Sequence, residues 1–191
     1  MRAIDPRITR SRQVILRAVL DELGATGYGA LTIESVAARA GVGKSTIYRH
    51  WPDKIALIAD AFALLQEERD PEMVTGPPRE KLARALRHVA DIAADSPFSS
   101  CLPSLIEAAE RDRALRRFHH RFQAEARKPT IALIANGILT RDFPAHSDPE
   151  LAAFAFLGAI FFCRLMTGTP FPPDRVPALI DTVFGKPRTV K

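Results

Sequence analysis

Between residues 44 and 50 the chain sets Lys44, Ser45, Thr46, Tyr48, Arg49 and His50 around a single aliphatic residue, Ile47. Ammonium, hydroxyl, phenol, guanidinium and imidazole groups within two helical turns are suited to hydrogen bonding and ion pairing. Their natural partners are phosphate oxygens and the edges of bases. A helix this short is not stable alone. Its neighbours must hold it through Ile47 and one face of Tyr48, which leaves the donors free to be presented outward.

The preceding residues supply such a neighbour. Thr32 can cap a helix whose Ile33, Val36, Ala37 and Ala40 fall at i, i+3, i+4 and i+7, one apolar face, and Glu34 suits the positive end of its dipole. Ser35 stands where a full capping box takes Glu or Gln, which predicts a partial box. Ala37 and Ala40 are small enough for a second helix to cross closely. Gly41 suits a left-handed position after the last periodic residue, Val42 tucks inward, and Gly43 opens the donor-bearing helix. Trp51-Pro52 ends that helix, because proline disfavours a helical residue before it. Asp53 can then cap a further helix beginning at Lys54. Two short helices joined by a glycine turn, the second covered in donors, make a helix-turn-helix, which presents its second helix to the major groove.

The run Thr-Ile-x-x-Val-Ala-x-x-Ala-Gly-Val-Gly-Lys-Ser-Thr-Ile-Tyr-Arg-His-Trp-x-x-Lys, residues 32–54, resembles the DNA-binding domain of the tetracycline-repressor (TetR) family. The similarity covers roughly residues 10–65 and is much looser beyond. It implies that Thr32 touches a phosphate at the start of its helix and that Lys44, Ser45, Thr46, Arg49 and His50 lie along the groove. It also implies that Tyr48 bonds a phosphate and that Lys54 clamps the backbone from the start of the fourth helix.

Other chemistries fit less well. Gly43-Lys44-Ser45 ends like a phosphate-binding P-loop, but the first glycine of G-x-x-x-x-G-K-[ST] would be residue 38, which is Ala38, and the preceding residues are helical in period rather than strand-like. A nucleotide-binding protein is therefore the rejected alternative. His119-His120, with Glu107, Glu110 and Asp112 nearby, hints at a metal. Adjacent histidines point about 100° apart on a helix, and Arg111, Arg113, Arg116, Arg117 and Arg121 around them argue for a solvated face, so no metal is assigned. No nucleophile elbow, zinc-protease motif or dinucleotide-binding glycine pattern supports an enzyme, and no cofactor is implied. Cys101 and Cys163 form no CxxC and read as buried, reduced thiols.

Length and charge agree with a DNA-binding protein. The chain has 191 residues, 47% of them hydrophobic, and a net charge of +5. Residues 1–54 carry nine Lys/Arg against five Asp/Glu, the remainder eighteen against seventeen, so the excess sits at the donor-bearing end. Arg2, Arg7, Arg10 and Arg12 form either an arm reaching the minor groove or a solvated basic tail. The N-terminus lacks the apolar core of a signal peptide. The longest apolar stretch, from Leu151 to Met166, is interrupted by Arg164 and reads as shorter than a membrane span. A cytoplasmic protein without membrane association is expected.

Periodicity elsewhere is helical throughout, with no alternating strand. Helix 1 is predicted over residues 8–26, broken by Gly24, Gly27 and Gly29. Helix 4 runs over 54–70, and the Pro/Gly cluster at Pro71, Gly76, Pro77 and Pro78 marks a boundary. Helix 5 spans 79–94, a short sixth reaches Ala108, and a seventh carries Leu115, Phe118 and Phe122. Pro129 predicts a kink or break in the seventh. Asp148-Pro149-Glu150 starts an eighth helix, and Val176, Leu179, Ile180 and Val183 mark a ninth.

The eighth helix is apolar around nearly its whole circumference and must be covered on every side. A second copy of the chain would cover its outer face. Phe154, Gly158, Phe161, Phe162 and Leu165, with Leu179, Ile180 and Val183 of the ninth helix, are the candidate dimer residues, and Gly158 permits close approach. The family resemblance implies the same arrangement of the last two helices. Phe98, Leu102, Leu105, Phe118, Phe122, Ile134 and Phe154 are candidates to line a pocket for a small hydrophobic effector, and they serve equally as ordinary core.

These readings combine into an all-α protein of about nine helices. Residues 1–54 form a DNA-binding domain, helix 4 connects, and residues 78–191 dimerise and bind effector. The expected function is a homodimeric, ligand-responsive repressor on a pseudo-palindromic double-stranded operator. The rival class is a helical ligand-binding protein without a regulatory role.

Overall fold

The computed structural model describes residues 6–67 and 75–186; at residues 6–9 and 65–67 only the backbone is described. Among these residues there are nine α-helices and no strand: α1 (Pro6–Ala30), α2 (Ile33–Ala40), α3 (Lys44–His50), α4 (Lys54–Glu67), α5 (Pro78–Ala94), α6 (Pro97–Arg111), α7 (Arg113–Leu139), α8 (Pro149–Phe162) and α9 (Val176–Phe184). α8 runs on into a π-helical turn, Cys163–Thr167, and a 3₁₀ turn, Pro173–Arg175, leads into α9. α1 breaks at Gly27 (φ 76, ψ 172), inside the glycine run where its end is expected. α7 passes through Pro129 as one helix, so of the kink or break that proline predicts the break is absent.

Contacts divide the chain into two units that do not follow chain order. One joins residues up to 67 with α6 and residues 113–122; the other joins α5, the rest of α7 from Gln123, and everything to residue 186. The Pro/Gly cluster suggested that all residues from 78 onward would stand apart. α6 instead returns to α1, for two reasons. Its small-residue face fits α1: Ser100 lies 3.6 Å from where a Cβ on Gly24 would be, and Ser104 Oγ accepts the Tyr28 N–H at 3.2 Å. Its other face covers Phe62 of α4, which is fully buried beside Phe98 (ring centroids 5.4 Å), Phe122 (5.1 Å) and Phe118 (6.0 Å). Each such aromatic pair adds about 0.5–1.5 kcal/mol beyond its buried area.

His119, next to Phe118, is half-buried, and that burial, then the neighbouring His120, pushes its imidazole below the ordinary range. A base whose folded pKa is depressed favours the fold while neutral. The stabilisation is complete above the unfolded value of about 6.5 and is lost as pH falls through the folded value. Wild-type protein should therefore lose stability on acidification from about pH 7.5 to 5, and His119→Gln should lose less; urea melts across that range check it.

In the second unit Leu82, Leu86, Ile134, Phe143, Phe156, Ile160, Val176, Ile180 and Phe184 form one buried core. Phe143 stacks on Phe184 at 4.4 Å and its ring covers Gly137 of α7. A Cβ on Gly137 would lie 2.2 Å from that ring, so only glycine fits. Gly137→Ala should cost about 1–3 kcal/mol by overpacking, read as a lower urea midpoint with an unchanged slope.

Asp148 caps α8 as predicted, its Oδ1 accepting the N–H groups of Glu150 (2.8 Å) and Leu151 (3.1 Å). Ala152, Ala153, Phe156 and Ile160 turn into the core, while Leu151, Phe154, Phe162 and Met166 remain 67%, 48%, 60% and 71% exposed. With its π-helical turn the segment Pro149–Thr167 is 19 residues long at a mean hydropathy of 1.6. That matches the roughly 20 residues of a membrane span, so length alone does not exclude one, contrary to expectation. Cys101 is buried, which pushes its thiol up to about 11. Cys163 is only partly buried, a second correction.

Candidate nucleic-acid interface

The interface begins with α2. Ser35 N–H donates to Thr32 Oγ1 at 3.0 Å and Thr32 N–H donates to Ser35 Oγ at 3.1 Å, so serine closes the full reciprocal box where a partial one is predicted. Thr32 remains exposed. At the other end Gly41 (φ 66, ψ 33) takes the left-handed cap, and Val42 N–H reaches Ala37 O at 3.0 Å. A Cβ disfavours that backbone conformation, so glycine sets the angle between α2 and α3.

α3 then stands on two anchors. Ile47 is its one buried residue, and Trp51, just past its end, is 2% exposed. The Trp51 N–H donates to Ile47 O at 2.9 Å, and its indole Nε1 donates to Asp60 Oδ2 of α4 at 2.7 Å. Arg12 of α1 donates to the same carboxylate oxygen at 2.5 Å and lies 5.9 Å from the Trp51 ring centroid. One carboxylate thus ties α1, α4 and the end of α3 together. Sequence reasoning missed Asp60; the available signal was an acid among the apolar residues of α4, since a buried indole N–H needs an acceptor. Arg12, though exposed, is consequently tied to Asp60, and Arg10 is exposed too. Arg2 and the Arg7 side chain lie outside the described residues.

Held this way, α3 exposes Lys44, Ser45, Tyr48, Arg49 and His50, with Thr46 half-buried. Tyr48 is 53% exposed, more than the inward face read for it allows. Lys44 Nζ donates to Glu34 Oε1 of α2 at 2.9 Å. This bond raises the lysine pKa and lowers that of Glu34, so both stay ionised. The His50 ring meets the Trp51 ring edge-on at 5.5 Å. Gly43-Lys44-Ser45 follows a helix and a left-handed turn rather than a strand, which removes the P-loop context.

Lys54 holds a position that spacing did not reveal. Its Nζ donates to Tyr28 O and Leu31 O, both at 3.0 Å, and sits 3.9 Å from the Tyr28 ring centroid. The ammonium therefore satisfies carbonyls left open where α1 breaks, and its burial lowers its pKa. Burial, then Asp112 and Asp53, raises that of Tyr28.

The candidate effector residues separate. Phe98, Leu102, Leu105 and Phe118 are buried in the first unit, with Phe122 partly so. Ile134 is core and Phe154 half-exposed in the second, where Arg127 lies 4.8 Å from the Phe154 ring. Among the candidate dimer residues, Phe154, Gly158 and Phe162 are exposed, and Phe161, Leu165, Leu179 and Val183 partly buried. Ile180 is buried in the core of its own unit and offers a partner no side-chain surface, a correction to its assignment.

Known proteins share this architecture. Residues 15–61 match the family described as bacterial regulatory proteins, tetR family. Residues 73–183 match the tetracyclin repressor-like C-terminal domain. The chain is 29% identical over 182 residues to the HTH-type transcriptional regulator YdeS of Bacillus subtilis, covering 94% of this chain and 90% of that protein. The TetR family transcription regulator SCO0332 superposes with a TM-score of 0.72 at 27% identity, over 93% of this chain and 98% of that one. FadR of Bacillus subtilis, solved in complex with stearoyl-CoA, shares the fold with a TM-score of 0.71 at 19% identity, over 91% and 98% of the two chains. With both halves matched and an α3 rigidly held, donor side outward, the chain belongs to the TetR family of helix-turn-helix transcriptional regulators.

Proposed function

We propose that the protein is a cytoplasmic homodimeric repressor, acting by binding rather than catalysis, which leaves a pseudo-palindromic operator when a small hydrophobic effector binds. The observation that carries this reading is the exposed set Lys44, Ser45, Tyr48, Arg49 and His50 on a helix anchored by Ile47 and Trp51. Two such helices related by a two-fold axis would enter successive major grooves about 34–36 Å apart, or a multiple of that. The exposed apolar face of α8 supports the dimer, because an uncovered surface of this kind on a soluble regulator calls for a partner. The Phe62, Phe98, Phe118 and Phe122 cluster supports an apolar effector, since it joins α4, which leads directly to the helix-turn-helix, to α6 and α7. An effector that binds better to the DNA-incompetent state lowers operator affinity by its difference in binding free energy between the two states.

Selection of bound sequences from a random DNA library tests the whole reading. A palindrome with two half-sites at that spacing is expected, protected in footprinting. Retention of no sequence above background overturns it.

Lys54→Ala separates the roles of that residue. Loss of the donor to two carbonyls should cost about 1–3 kcal/mol, seen in a thermal melt. If the ammonium also meets a phosphate, specific and nonspecific DNA binding fall together, and the slope of log affinity against log salt drops by about 0.9 per contact. A melt that drops while the salt slope stays at the wild-type value would confine Lys54 to tying α1.

A further inference from the structure

The start of α7 carries charge that its own stability does not require. Arg113, Arg117 and Arg121 recur every four residues, all are exposed, and none has an ion pair among the described residues. Like charges at this spacing repel one another, and cations in the first turns oppose the helix dipole, whose N-terminal end favours anions. The carboxylates at this corner are already engaged. Glu107 pairs with Arg111 at 2.9 Å and Glu110 with Arg116 at 3.3 Å. Asp112 caps the helix, accepting from the N–H groups of Ala114 (2.7 Å) and Leu115 (3.1 Å). His120 is exposed on the same side of the helix.

The position of the stripe identifies its partner. These turns belong to the unit that holds α2, α3 and α4. α6 runs along α1 toward its break, with Ser100 beside Gly24 and Ser104 accepting the Tyr28 N–H, and the Tyr28 carbonyl in turn accepts from Lys54 at the head of α4. The stripe therefore starts on the side of the ends of α1 and α4 that flank the helix-turn-helix.

We propose that Arg113, Arg117 and Arg121 bind the phosphate backbone of duplex DNA beyond the half-site read by α3, a second and sequence-independent contact of each protomer. A guanidinium fork takes phosphate oxygens two at a time. The three span about 12 Å of helix, eight residues at 1.5 Å each, and a duplex offers one negative charge per about 1.7 Å of its axis. Bound phosphates would also offset the repulsion along the stripe.

The inference rests on the operator reading above, and its test keeps the two apart. Full-length wild type and the triple variant R113Q/R117Q/R121Q are titrated at several salt concentrations with the selected operator in two lengths. One duplex is trimmed to the half-sites and the other extends a full helical turn beyond them on each side. Wild type should bind the long duplex more tightly and with a steeper salt slope, by about 0.9 for each phosphate gained. The triple variant should bind both alike, with the affinity of wild type for the trimmed one. R113K/R117K/R121K should keep the length dependence, and thermal melts of both variants should match or exceed wild type. Equal wild-type binding to the two lengths, with trimmed-duplex binding intact, overturns the stripe while leaving operator recognition standing; an acidic protein would then be the partner to seek. Binding of neither length removes operator recognition itself, and the proposal with it.

Discussion

Trp51→Ala is expected to remove about 3–5 kcal/mol of stability and to abolish DNA binding well before the rest of the protein unfolds. The side chain is 2% exposed and its indole N–H ends on Asp60, which also holds Arg12. Truncation leaves a cavity the size of an indole and strips a half-buried carboxylate of one donor. The functional loss follows from how little else holds α3, because Ile47 is the one residue of that helix that is buried. A seven-residue helix with a single remaining anchor cannot keep its donors in register with a groove. Trp51→Phe separates packing from hydrogen bonding. It keeps most of the buried surface and should cost only about 0.5–1.5 kcal/mol for the lost indole hydrogen bond, since Arg12 still pairs with Asp60. Urea denaturation followed by tryptophan-independent circular dichroism, alongside operator binding, measures both. A Trp51→Ala variant that melts and binds like wild type would show that α3 is held by something else.

Phe162→Asp is expected to convert a dimer to a monomer and to lower operator affinity by about 10²–10⁴-fold. That is the range lost when a linked second binding event disappears. Phe162 is 60% exposed on the protomer, beside a helix face that also leaves Leu151, Phe154 and Met166 uncovered. Because it touches no core, the substitution leaves the protomer fold intact. Because the proposed interface is two-fold, the carboxylate enters it twice and must be desolvated twice. Sedimentation reads the assembly directly and a titration against one half-site controls for the reading helix, whose affinity should not change. A wild-type protein that sediments as a monomer, or a variant that remains dimeric, would place the two-fold contact elsewhere.

Much of the fold is legible in the chain because the signals are local. The Thr32 cap, the left-handed Gly41, the stop at Trp51-Pro52 and the Asp148-Pro149 start each depend on groups within about four residues, and the structure shows all four. The aliphatic spacing of α2 places Ile33, Val36 and Ala37 in the core for the same reason: a 3.6-residue period fixes a face without reference to the rest of the chain. The outward donors of α3 follow by exclusion, since Ile47 alone among its residues is aliphatic.

What the chain could not declare are relations between residues far apart in it. Asp60 serves Trp51 and Arg12, and Lys54 serves the carbonyls of Tyr28 and Leu31, only because α1 and α4 cross. α6 joins the first unit rather than the second because Ser100 and Ser104 fit against Gly24 and Gly27, a match of shapes some 76 residues apart for the Ser104–Tyr28 bond. Ile180 and Phe162 are equally apolar, yet one is core and the other exposed. Sequence alone determined which helices form and that α3 bears the donors, since capping and periodicity act over one or two turns. Tertiary structure decided which cations remain free for a partner and which apolar faces stay uncovered, because both depend on groups brought together only by packing.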